Sequence, residues 1–276
     1  MARELSRHVV DAVALGVGVP GLVDRSGRLR FAPNLPGVVE LEVRRLVADS
    51  TGMPVRVDND ATCALWAEHE LGAARGCADA VLVTLGTGIG GGLVLDGRLE
   101  RGAYGFAGEF GHMVVEAGGI PCPCGRRGCW ERYASGTALT GLARAATAGG
   151  QGQRMLALAG GDVDAVRGEH VTAAAAAGDA EAVALLHRYA GWVALGLVNL
   201  VHILDVGRCV IGGGLVSSGD VLLDPVRTAF ADLVVAPRHR PPVEIMAAEL
   251  GARAGAIGAA MLARAAVQPH RPGRST

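Results

Sequence analysis

Four side chains in one short stretch have the types and spacing of a metal site. His112 precedes Cys122, Cys124 and Cys129, and the three thiols lie in Pro121-Cys-Pro-Cys-Gly-Arg-Arg-Gly-Cys-Trp-Glu131. Three thiolates and an imidazole form a tetrahedral Cys₃His set for Zn²⁺, and Gly125 and Gly128 let the loop fold tightly around an ion. Such a site is closed, so the metal is expected to shape a loop rather than to react. A disulfide among these thiols is the weaker alternative, because it needs an oxidising compartment. Cys63, Cys77 and Cys209 sit in apolar contexts that suit buried free thiols.

Asp58-Asn59-Asp60 follows the strand-like Val55-Arg-Val57. Asp and Asn after a strand often cap the next helix, and Asp60, directly before a helical run from Ala61, is placed to do so. A catalytic role gains weight from Glu109 and His112 in Gly108-Glu-Phe-Gly-His112, and from Glu131, two residues past Cys129. A carboxylate-rich set bearing an amide suits a polyhydroxylated substrate, and one carboxylate can take a hydroxyl proton as general base. In Leu85-Gly-Thr-Gly-Ile-Gly-Gly-Gly92 a strand runs into a glycine-rich hairpin with one hydroxyl, Thr87. It lacks the Gly-Lys-Ser/Thr of a Walker A loop and is not followed by a helix. Its backbone N–H groups can still cradle a phosphate; the plain alternative is a tight turn without a ligand. Val210-Ile-Gly-Gly-Gly-Leu215 precedes a helix and could cover an adenosine face.

The elements that must hold these residues alternate. Strands are expected at 14–19, 55–57, 80–85, 91–95, 209–211 and 243–246, with turns at Pro20-Gly21, Ser26-Gly27 and Asp96-Gly97. Helices are expected at 41–48, 61–71, 136–148, 171–177, 180–201, 221–234 and 252–266, with a helical end over 1–13 and a frayed tail at 270–276. The stretch 102–132 has no clear periodicity. Interleaved helices and strands define the class as α/β, with polar tips at the carboxyl ends of strands, where α/β sheets place their sites.

Composition agrees. Of 276 residues, half are hydrophobic, and 26 basic groups against 27 acidic give a net charge of −1. This excludes a disordered chain and offers no electrostatic reason for nucleic-acid or membrane binding. The opening residues are charged and amphipathic, unlike a signal peptide, so the cytoplasm is the expected compartment. The basic groups include no lysine, which excludes Schiff-base chemistry. The 42 glycines, about twice the usual ~7%, cluster beside the strand-like runs.

Together these motifs resemble the ROK family of repressors and sugar kinases. The resemblance is carried by Leu82 to Gly92, Arg101-Gly, Gly-Glu-Phe-Gly-His112, the cysteine stretch to Glu131, Ala134-Ser-Gly-Thr137, Pro33-Asn34-Leu-Pro-Gly37 and Val57-Asp-Asn-Asp60. It covers nearly the whole chain and is greatest for the family's ATP-dependent glucokinases. The implied fold is an actin-like ATPase (ribonuclease H-like) fold with two domains and a cleft between them. Residues 1–62 would form a small α/β domain completed by a helix at 252–268, and 63–251 a large one carrying a zinc loop at 112–131.

The resemblance also implies roles. Asp60 would deprotonate the 6-hydroxyl of a hexose, while Asn59, Glu109, His112, Glu131 and Asn34 would hold the other hydroxyls. Gly86, Thr87 and Gly88 would meet the phosphates of ATP, used with Mg²⁺, and Gly212, Gly213 and Gly214 would lie near its adenosine. His112 would serve structural Zn²⁺ through one nitrogen and sugar through the other. Glucose is the expected substrate, with N-acetylmannosamine, fructose and mannose as alternatives, and a homodimer or homotetramer is expected. One departure is that family kinases open with a strand and hairpin carrying Asp-x-Gly-Gly-Thr, which this sequence does not show. The small domain is therefore expected to be truncated at its N-terminus, with exposed edges on both remaining strands. Without that phosphate loop, an impaired kinase that binds sugar without turnover is the alternative function.

Overall fold

The computed structural model describes residues 11–33, 35 and 37–267. The helical end expected over 1–13 falls mostly outside them, as do Asn34 and the tail at 270–276; residues 11–13 are turn and coil.

Strands β1 (Leu15–Val19) and β5 (Val55–Asn59) pair in parallel, Leu15 opposite Val55 and Val19 opposite Asn59. Each covers one edge of the other, and among the described residues the outer edge of each stays unpaired, as expected. Between them lie β2 (Leu22–Val23), β3 (Leu29–Phe31), β4 (Val39–Leu41) and helix α1 (Val43–Thr51). These three strands form an antiparallel sheet that sequence periodicity misses, because two or three residues cannot display an alternation. Val23, Leu29, Val43 and Val57 close a small core beneath it.

Helix α2 (Asp60–Leu71) leaves β5 directly and runs to the second, five-stranded sheet. The division expected between residues 62 and 63 thus falls inside a helix. The sheet comprises β6 (Ala80–Leu85), β7 (Ile89–Leu95), β8 (Arg98–Glu100), β9 (Arg208–Gly212) and β10 (Glu244–Ala247), in the order β10-β9-β6-β7-β8. Hairpins join the antiparallel β6, β7 and β8, while β9 and β10 return in parallel through helices. After short α3 (Glu131–Ala134) come α4 (Gly136–Ala148), α5 (Gln153–Leu158), α6 (Gly168–Ala176), α7 (Ala180–Leu204), α8 (Asp220–Leu233) and α9 (Ala254–Val267). Helix α5 was not anticipated.

The pleat of β6 divides the interior. Val81, Val83 and Leu85 enter the main core with α7 and α8, and Ala80 and Leu82 meet α2 and Ala254 on the opposite face. Burial on both faces explains the unbroken apolar run by which β6 is recognised. Among the described residues, α7 alone has the length and composition of a membrane span, yet its Tyr189, Val193, Leu197 and Val201 are buried in this core.

Helix α9 lies against both β1 and α2 at almost no separation. A β-carbon at Gly258 would stand 1.7 Å from the Cys63 carbonyl oxygen, and one at Gly16 of β1 would stand 2.0 Å from that of Ala259. The fully buried Glu68 carboxylate secures the same joint, accepting hydrogen bonds from the backbone N–H of Ala73 (2.8 Å), Glu249 (3.1 Å) and Leu250 (2.8 Å). Gly191 of α7, by contrast, has nothing within 4 Å of its would-be β-carbon. Gly258→Ala should cost about 2 kcal/mol or more through overpacking, whereas Gly191→Ala should gain roughly 0.5–1 kcal/mol from helix propensity. Urea unfolding of both variants checks the contrast, and equal effects would refute the close contact.

Candidate active site

The β5–α2 junction sets the first group. Asn59, not Asp60, is the helix cap: its Oδ1 accepts from Ala61 N (2.9 Å) and Thr62 N (3.1 Å), and its Nδ2 donates to Gly21 O (3.1 Å). Asp60 occupies the first helical position and also accepts from Ala61 N at 2.9 Å. Burial nonetheless raises its pKa, with that hydrogen bond opposing the rise.

Glu109 and His112 stand on a short 3₁₀ turn, Phe110–His112, pressed against β7. His112 Nε2 lies 3.8 Å from Glu109 Oε2, and its Nδ1 lies 3.8 Å from both Glu131 Oε1 and Cys122 Sγ. The imidazole therefore turns one nitrogen to the thiols and the other to a carboxylate. The pKa of Glu109 is raised chiefly by burial; the His112 charge opposes this, while Glu131 and Asp60 add to it. Asp60, Glu109, His112 and Glu131 thus share one electrostatic neighbourhood, although they come from three separate stretches of chain.

Glu131 is placed by the residue before it. Trp130 is wholly buried, donates its indole N–H to Trp192 O (2.7 Å) and lies flat on Gly196 of α7, where a β-carbon would stand 1.9 Å from the ring. Glu131 is thereby aimed at the glycine turn after β6, so closely that a β-carbon at Gly88 would lie 2.5 Å from its Oε2.

The donor atoms of His112, Cys122, Cys124 and Cys129 all lie within 4.8 Å of one another, with Cys124 and Cys129 sulfurs 3.6 Å apart. A tetrahedral ion bound at 2.3 Å to sulfur separates its ligands by about 3.8 Å, so the set fits zinc. All six cysteines are free in this structure. Cys63 and Cys209 are buried as expected, but Cys77 is only partly so.

On the other side of the glycine turn, Gly86, Thr87 and Gly214 line a cavity of about 260 Å³. Thr137 and Thr140 of α4 and Arg167 and Glu169 at the start of α6 complete it. The last two carried no sequence signal, since only folding brings that helix start to the turn. Gly212 and Gly213 support the cavity from behind: Gly212 pairs with Thr84, and a β-carbon at Gly213 would stand 2.3 Å from Leu85 O. Gly88 points to Glu131 instead. A larger cavity of about 660 Å³ beside Arg44, Arg56 and Ala263 contains none of these groups.

The sheet order β10-β9-β6-β7-β8, with three antiparallel strands followed by two parallel ones and helices layered on it, is that of an actin-like ATPase fold. The chain belongs to the ROK family, whose model matches residues 1–266. It is 40% identical over 257 residues to a glucokinase of Streptomyces coelicolor, covering 92% of this chain and 81% of that one. A glucokinase of Thermotoga maritima is 36% identical over 253 residues, covering 91% and 79%. Among solved structures, a ROK family glucokinase from Streptomyces griseus in complex with glucose and AMPPNP superposes with a TM-score of 0.87 at 40% identity, covering 92% of this chain and 82% of that one.

The thiols differ in environment. Burial pushes Cys63 and Cys209 up to about 12, and Cys124, unlike the buried Cys122 and Cys129, is partly exposed. In protein stripped of metal, a disulfide reagent should modify the partly exposed Cys124 and Cys77 before Cys122 and Cys129, and reach Cys63 and Cys209 only on unfolding. Mass spectrometry of the labelled protein checks the order, and early labelling of Cys63 would contradict it.

Proposed function

We propose that this chain transfers the γ-phosphoryl group of ATP to the 6-hydroxyl of a hexose, with glucose the substrate. The observation that carries this function is the convergence of Asp60, Glu109, His112 and Glu131 beside the glycine turn, and 36–40% identity to glucokinases supports it. Asp60 takes the proton from the 6-hydroxyl. The sugar oxygen then bonds to the γ-phosphorus as the bond to the bridging oxygen breaks, and ADP leaves with the electron pair. Asn59, Glu109, His112 and Glu131 hold the remaining hydroxyls. Thr87, through its hydroxyl and backbone N–H, receives the phosphate charge of MgATP, and Gly214, Thr137 and Thr140 border its nucleoside. Little covalent work falls to the protein, so positioning and charge stabilisation supply the rate. The ATP requirement agrees with a cytoplasmic setting.

The raised pKa of Asp60 has a direct consequence. A base must be ionised, so activity is gained as pH rises through that pKa and lost as pH falls through it. The acid limb of kcat/KM should lie above the ordinary 3.8 of an aspartate; a limb at or below that value would contradict the environment described. Asp60→Asn should lower kcat about 10²- to 10⁴-fold while glucose binding by calorimetry is retained. Near-normal turnover would refute the assigned base. Wild-type protein that binds glucose but shows no turnover in a coupled assay would favour the sugar-binding alternative.

His112 through Nδ1, Cys122, Cys124 and Cys129 are proposed to hold Zn²⁺. The ion would neutralise the thiolates and fix the loop that ends in Glu131. With Nδ1 so engaged, the imidazole keeps one orientation and presents Nε2–H to the sugar. Metal analysis of reduced protein should find one zinc per chain, and less than about half an equivalent would count against a site of this type.

A further inference from the structure

We propose that the Arg101–Asp58 ion pair is a positioning clasp that sets Asp60 against Glu109 and governs turnover without touching sugar or nucleotide. The proposal rests on the kinase function above. Asp58, nearly buried on β5 two residues before Asp60, accepts a 2.7 Å hydrogen bond on Oδ2 from Arg101 Nε, and Arg56 stands 3.7 Å from the same oxygen. Its Oδ1 accepts from Asn59 N at 3.2 Å, so the carboxylate is fixed on both sides. Arg101 belongs to the other sheet, directly after β8. A charge-assisted bond out of water is directional, and removing one partner strands the other charge.

The strap that begins at Arg101 and ends at His112 is anchored to both halves of the molecule. Toward the N-terminal sheets, Gly102 O accepts from Arg25 Nε at 3.1 Å. Gly105, at φ +104°, approaches β2 so closely that a β-carbon would stand 2.6 Å from Val23 O. Toward the five-stranded sheet, β-carbons at Gly108 and Gly111 would stand 2.5 Å from Gly91 O and 2.4 Å from Ile89 O. Glu109 lies within the second anchorage, between Gly108 and Gly111. Glu109, His112, Glu131 and the nucleotide cavity all attach to the five-stranded sheet, whereas Asp60 stands where β5 passes into α2, whose later turns pack on β6 and β7. Arg101 is the strap's ion-pair link to β5. Loss of the clasp should therefore misplace the base relative to the sugar and leave nucleotide binding intact.

The test compares wild type with Arg101→Ala, Asp58→Ala and the double variant. Arg101→Lys serves as conservative rescue, and the neutral pair Asp58→Asn/Arg101→Gln serves if a lone buried charge prevents folding. Each single variant, or the neutral pair, should lose about 10²-fold in kcat, the scale of a 1 Å misplacement, with the KM for ATP unchanged. The double variant should be no worse than the worse single, and Arg101→Lys should recover part of the loss. Amide exchange in the alanine variants should accelerate together at 22–25 and 101–107, with 121–131 unchanged. Turnover within about twofold of wild type, additive losses, a KM for ATP rising in step, or unchanged exchange would each overturn the clasp. Wild type that phosphorylates no hexose would instead overturn the kinase function, and the exchange measurement would still decide the clasp.

Discussion

Everything at the centre of this protein depends on three backbones meeting without side chains between them. Helix α9 lies against the Cys63 carbonyl at Gly258, and its own Ala259 carbonyl meets Gly16 of β1. Chains can approach so closely only where glycine removes the β-carbon. The result is a fixed relation between β1, α2 and α9, and hence between the two sheets. Asp60 begins α2 at this joint, with its carbonyl 3.4 Å from where a β-carbon of Gly255 would stand. Glu68, eight residues on, binds the far end of the helix to the approach to α9. The helix that carries the base is thus held by backbone contacts, and the Asp60 side chain itself accepts one hydrogen bond, from the adjacent Ala61 N–H.

Around that joint the charged groups solve a common problem in opposite ways. Asp58 is buried and compensated by Arg101, so it contributes geometry. Among the described residues neither Asp60 nor Glu109 pairs with an arginine, Glu109 facing only the His112 imidazole at 3.8 Å, and burial raises both pKa values, which keeps them basic enough to engage hydroxyl protons. His112 stands between the thiols and Glu109 and couples the loop to the sugar-facing carboxylates. Trp130 transmits the rigidity of the core helix α7 to that loop through its packing on Gly196. Structural and reactive groups therefore alternate along the chain, each reactive residue beside one whose only work is to hold it.

The legible parts of the sequence were those whose information is local. The strand β6 was plain because both its faces are buried, and α7 because its apolar run is long. The thiols were legible through spacing alone, since a turn with Gly125 and Gly128 brings close neighbours together. Less legible were β2, β3 and β4, whose pairing rather than composition makes them strands, and α5, six residues long. The capping role went to Asn59 instead of Asp60, because side-chain direction at a strand end depends on the neighbouring Gly21 carbonyl.

By itself, the sequence determined the alternation of elements, the glycine turns, the metal-type ligand set and the residues able to act on a polyhydroxylated substrate. These follow from residue type and short-range geometry. Only the tertiary structure decided that Gly88 faces Glu131, that Arg167 and Glu169 close the cavity beside Thr87, and that Arg101 reaches Asp58. Such pairs are separated by dozens of residues, and their contact is set by how α2, α9 and the two sheets pack. No local pattern encodes that packing.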